Sequence, residues 1–196
     1  MRRALVLAFF CAFLGTGTAQ ADYRFAVVGK QTEALSGWIE FCKQNRQDCT
    51  GPTLEARAVV YDTEAWHDLD RVNRYVNDTI KPVPDHKHWG VADKWSYPDD
   101  GYGDCEDYVL LKRRMLMDIG FPRQALLVTY VLDKRGEGHA VLTVKTHKGD
   151  YVLDNQQTEV MLWVDTAYRF IKRQSQEDPN QWVSLSNPRK KVASRR

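Results

Sequence analysis

Gly120 and Pro122 divide the chain into two parts with different hydrophobic periods, and no other feature constrains its fold as strongly. Before them apolar residues recur at helical spacing; after them they come in short β-branched and aromatic runs. "TEALSGWIEFC" carries Leu35, Trp38, Ile39 and Cys42 behind a Thr32 cap, and from Thr63 a second stretch aligns Trp66, Leu69, Val72, Asn73 and Val76. A third helix is predicted from Cys105, burying Tyr108, Leu111, Met115 and Ile119 and turning Lys112, Arg113 and Arg114 outward. Gly120 and Pro122 stop it. Strands are predicted over 125–132, 139–145, 151–155 and 160–164. Helices followed by an antiparallel meander make an α+β fold.

Between the second and third helices, residues 81–103 hold Pro82, Pro84, Pro98 and three glycines, which predicts a long irregular connection. Such loops are often functional. Asp85, His86 and His88 within it suggest metal ligands, but no matching ligand pair accompanies them, and surface histidines are the simpler reading.

The N-terminus predicts export. Arg2 and Arg3 precede an apolar run from Ala4 to Leu14, and small residues close in Ala19-Gln20-Ala21. Residues 1–21 are therefore expected to be a cleaved signal, giving a periplasmic or secreted protein; the run is too short for a stable membrane anchor. Residues 22–187 are expected to form one domain, followed by a basic, disordered tail over 188–196. Processing removes two of the 28 basic residues and leaves 26 against 26 acidic ones, so no basic excess points to nucleic acid.

Three cysteines survive processing. Cys42 and Cys49 are close enough in sequence for a local disulfide, the expected state of such a pair in an exported protein; two buried free thiols are the alternative. Cys105 is then odd. It is buried, an intermolecular link or a working thiol, and its setting, "GYGDCEDY", makes simple burial the least attractive. Its acidic neighbours Asp104, Glu106 and Asp107 oppose thiolate formation. If the helix opens at Cys105, Asp104 becomes its N-cap and Asp107 falls at the third position, and the helix N-terminus favours the thiolate.

A nucleophile needs a base, and the base an orienting group. His139 begins one predicted strand and Asp154 ends the next. A loop of about four residues would set them opposite each other, whereas a tight turn at Lys148-Gly149 would leave them about four residues out of register.

These residues resemble the bacterial transglutaminase-like cysteine proteinases of the papain and transglutaminase superfamily. The likeness rests on "DKWSYPDDGYGDCEDY", "GHAVLTV" and "DYVLDNQ" followed by "VMLWV", and extends over most of the processed chain. It implies a papain/transglutaminase-like core with N-terminal helices packed on an antiparallel sheet. It implies Cys105 as nucleophile, His139 as general base and acid, and Asp154 as the group orienting the imidazole. Relatives are periplasmic, calcium-dependent proteases that cut surface adhesins and are sequestered by an inner-membrane receptor. By that likeness Asp104 and Glu106, with Asp107, are expected to bind calcium, and the partners are a protein substrate such as an adhesin and an inner-membrane regulator. Acyl transfer to an amine, as in a transglutaminase, and a non-enzymatic calcium-binding module are the competing readings.

Overall fold

The computed structural model describes residues 23–186; the expected signal and basic tail lie outside them. An exposed strand, β1 (Val27–Thr32), precedes helix α1 (Ser36–Gln44) and the single turn α2 (Arg46–Cys49). The long helix α3 (Thr63–Thr79) follows, and Asp62 caps it by accepting the Ala65 N–H at 2.9 Å. The connection over 81–103 is more ordered than its composition predicts. It contains β2 (Lys81–Pro82), the one-turn helix α4 (Asp85–His88) and β3 (Tyr102–Gly103). The two short strands pair in parallel, which closes the loop on itself.

Helix α5 (Cys105–Asp118) ends at Gly120, whose φ of +101° suits glycine. Strands β4 (Leu126–Leu132), β5 (Gly138–Thr146), β6 (Gly149–Asp154) and β7 (Gln157–Leu162) form the predicted meander. Sequence periodicity misses β8 (Arg169–Gln174) and β9 (Trp182–Ser186). These two and β1 extend the meander beyond β4 into a seven-stranded antiparallel sheet of order β1-β9-β8-β4-β5-β6-β7.

Two helix expectations are corrected. Thr32 does not cap α1: it ends β1, paired with Trp182, and the helix begins at Ser36. Trp38 and Phe41 are buried, whereas Ile39 is exposed, so the apolar face of α1 is rotated from the expected one. In α5, Lys112 and Arg113 point inward and Ile119 is exposed. One apolar cluster draws on α1, α3, α5, β4, β5 and β6, so α5 meets protein on more than one side. Both buried cations have a partner, as burial demands. Lys112 Nζ donates to Asn73 Oδ1 at 2.7 Å, and Arg113 Nε to the Leu126 carbonyl at 3.2 Å. Desolvation lowers both, Lys112 to about 7 and Arg113 to about 10.

Candidate active site

Cys105 is the first residue of α5 and lines a cavity of about 220 Å³ together with Leu35, Trp95, Glu106 and His139. Tyr102 lies outside this lining and is 40% exposed. The disulfide expected between Cys42 and Cys49 is present, which leaves Cys105 the free thiol among the described residues. Cys105 Sγ donates to Glu106 Oε2 at 3.1 Å. Burial, then the charge of Glu106, pushes the thiol well above its ordinary value, while the Ala140 N–H pulls the other way.

The β5–β6 hairpin settles how His139 and Asp154 meet. Thr146 faces Gly149 across a two-residue turn at His147-Lys148, and Leu142 faces Leu153. One further step places Asp154 beside Val141, so His139 is its diagonal neighbour, between the two registers considered from sequence. Thr146 Oγ1 fixes that turn by accepting the Lys148 and Gly149 N–H groups, each at 3.1 Å. His139 Nε2 lies 2.8 Å from Asp154 Oδ1, and both side chains are almost fully buried. An imidazole that donates from Nε2 keeps Nδ1 as its acceptor.

Asp154 is held at several points. Oδ1 also accepts the Gln156 N–H at 3.0 Å, and Oδ2 accepts the Tyr168 hydroxyl at 2.5 Å. Burial alone would raise its pKa; the hydrogen bonds from His139, Gln156 and Tyr168 outweigh burial and hold it below the usual value. Its backbone is anchored to α3. Asn77 Nδ2 donates to the Asp154 carbonyl at 2.9 Å, and Asn73 Nδ2 reaches the carbonyls of Gln157 and Thr158.

The acidic residues beside Cys105 are arranged differently from the sequence reading. Asp104 occupies the cap position of α5 but makes no side-chain cap hydrogen bond. Its Oδ2 instead accepts the Asp85 N–H at 3.2 Å. Asp107 Oδ1 accepts the Ser96 N–H at 2.8 Å. Asp85, which the sequence reading set aside with His86 and His88, is buried and accepts the Lys94 N–H through Oδ2. His88 turns away to Asp100, and His86 is exposed.

Asp85, Asp104 and Asp107 each offer an oxygen, and the three atoms lie within 4.8 Å of one another. Asp85 Oδ1, Asp104 Oδ1 and Asp107 Oδ2 are buried without a hydrogen-bond partner. Gly103 permits this crowding, because a Cβ there would stand 2.8 Å from Asp107 Oδ2. Glu106 is buried too, and forms a second grouping with Asp104 and Cys105 and a third with Asp85 and Asp93. Burial raises Glu106, with Asp104 adding to the rise, and burial lifts Asp107 to about 7.

Tyr168, Asn73 and Asn77 were not marked as site residues by sequence. Asn73 carried a signal, a polar residue on the apolar stripe of α3; Tyr168, before a strand that periodicity misses, carried none.

Comparison with solved structures gives Legionella pneumophila LapG. The calcium-bound form is 19% identical, with a TM-score of 0.53, over 79% of this chain and 92% of that one. A second LapG structure is 23% identical over 59% and 67% of the two chains, with a TM-score of 0.49. No curated protein matches the chain. The family described as bacterial transglutaminase-like cysteine proteinase BTLCP matches residues 28–190. The chain thus belongs to the bacterial transglutaminase-like cysteine proteinases.

Proposed function

We propose that this cysteine protease is an exported endopeptidase working through Cys105, His139 and Asp154, with residues 22–187 as its proteinase domain. The observation that carries the reading is the buried 2.8 Å contact between His139 and Asp154, with His139 and Cys105 lining the same cavity. Cys105 Sγ attacks the peptide carbonyl carbon, and its proton passes to His139 Nδ1. Asp154 holds the ring and stabilises the imidazolium. His139 then gives that proton to the departing amine, leaving a thioester on Cys105. A water molecule deprotonated by His139 resolves the thioester and frees the acid. The backbone N–H of Cys105, in the first turn of α5, has no intrahelical acceptor and is available to the oxyanion.

Calcium fits the acidic cluster. Asp85, Asp104 and Asp107 each bring an oxygen within 4.8 Å of the others, and each keeps one buried carboxylate oxygen without a partner, a poor arrangement on its own that suits a hard cation taking oxygen ligands. Asp104 and Asp107, joined by Asp85 and by Glu106, are the residues to hold it. Bound there, calcium would supply positive charge that offsets the carboxylates' opposition to the Cys105 thiolate. Family resemblance extends the proposal to a cell-surface substrate such as an adhesin and to an inner-membrane regulator.

The test is a comparison of surface-protein N-termini from cells carrying the wild-type protein, no protein, or Cys105→Ala. A new N-terminus made only by the wild type is expected. One that persists with Cys105→Ala refutes the mechanism. Incorporation of a labelled amine at glutamine side chains of uncut surface proteins, with no new N-terminus, would identify a transglutaminase instead.

A further inference from the structure

We propose that Tyr168 is a positioning residue for the Asp154–His139 pair, fixing the plane of the carboxylate through its hydroxyl and bracing the imidazole with its ring. This rests on the triad reading above. Asp154 Oδ1 is occupied by His139 Nε2 and the Gln156 N–H, and Oδ2 accepts the Tyr168 hydroxyl at 2.5 Å. The terminal torsion of an aspartate is broad, so contacts through one oxygen leave the carboxylate free to swing. A second contact through the other oxygen removes that freedom. The Tyr168 ring also stands 5.4 Å from the imidazole, centroid to centroid, at 47°. Both members of the pair are thus held by one side chain.

The topology explains how Tyr168 arrives. Asp154 ends β6, which flanks β5 on one side, whereas Tyr168 immediately precedes β8, beyond β4 on the other. Val131 of β4 pairs with both His139 and Phe170, which brings the start of β8 level with His139. The phenol therefore reaches Asp154 from the opposite flank of the sheet. Asp154 is 2% exposed, so little solvent is at hand to replace a lost donor. Burial, then the hydrogen bond to Asp154, pushes the phenol well above its ordinary value, so it remains a donor through the working range.

The experiment compares processed wild type, Tyr168→Phe, Tyr168→Leu and Cys105→Ala, each ¹⁵N-labelled. One readout is the His139 Nε2–H resonance and its exchange with water; the other is the initial rate of new N-termini in an outer-membrane fraction of the source bacterium. Tyr168→Phe keeps the ring and should fold with the wild-type melting temperature to within a few degrees. Its Nε2–H should move and exchange at least about tenfold faster, and its rate should fall about 10- to 100-fold, the effect of losing a hydrogen bond to a charged group. Tyr168→Leu, lacking ring and hydroxyl, should be slower still. If Tyr168→Phe keeps the wild-type resonance and rate while Cys105→Ala is inactive, the role of Tyr168 is overturned and the triad stands. If Cys105→Ala is active, the triad reading itself fails.

Discussion

Replacing Asp107 with asparagine in calcium-free protein should relieve an instability that grows with pH. In the unfolded chain this carboxyl loses its proton near 3.8; in the fold burial holds the proton to about 7. Between those values the folded state carries the extra proton, so raising the pH favours unfolding. The gap of about 3 units is worth about 4 kcal/mol, reached once the pH passes 7. Asparagine does not titrate and still accepts the Ser96 N–H through its carbonyl oxygen. Wild type and Asp107→Asn should therefore agree within about 1 kcal/mol at pH 4 and differ by about 4 kcal/mol, the variant ahead, at pH 7.5. In melting temperature that is roughly 10 °C for a domain of this size. The assay is urea and thermal unfolding in a chelator across that range, and taking the difference between the proteins cancels the titrating groups that do not interact with Asp107. Adding calcium at pH 7.5 should stabilise the wild type far more than the variant. Two proteins that track each other from pH 4 to 7.5 would refute the argument.

Asp154→Asn should fold but cleave roughly three to four orders of magnitude more slowly, since His139 loses its orienting charge; wild-type turnover would exclude Asp154 from the mechanism. Lys112 gives up its proton near 10.5 unfolded and near 7 folded, so the unfolded chain holds the extra proton between those values and stability rises with pH. Unfolding of Lys112→Met should lose that slope, up to about 1.4 kcal/mol per pH unit, and an unchanged slope would contradict a buried Lys112. The Cys42→Ser, Cys49→Ser double variant opens a short loop and should cost about 2.5 kcal/mol in urea unfolding while retaining cleavage at low temperature.

What the sequence revealed divides along physical lines. The helix start at Cys105 was legible because glycines precede it and an apolar stripe follows. Strands β4 to β7 were legible because they alternate or run apolar. β8 was not, since "RFIKRQ" reads as a charged surface segment, yet Arg173 is buried in an ion pair with Asp150 at 2.9 Å. Lys112 and Arg113 follow the same logic: their charge predicts solvent exposure, and only the packing around α5 buries them. The diagonal meeting of His139 and Asp154 depended on moving a turn by one residue, a choice made by the Thr146 hydroxyl. Asp85 is not legible as part of the acidic cluster, because it lies 19 residues before Asp104 in sequence and beside His86 and His88, which suggest a different class of ligand.

The asparagines of α3 bear on how the enzyme loses function. Asn73 and Asn77 hold the Asp154 turn through four hydrogen bonds to backbone carbonyls, and Lys112 fixes Asn73 from behind. The turn therefore has no freedom to open while α3 stays docked. Amide hydrogens of the β6–β7 turn and of the middle of α3 should exchange as one cooperative unit, with a shared opening free energy. Partial denaturation that detaches α3 would disarm the protease before the sheet unravels. Inactivation and helix undocking would then be a single event.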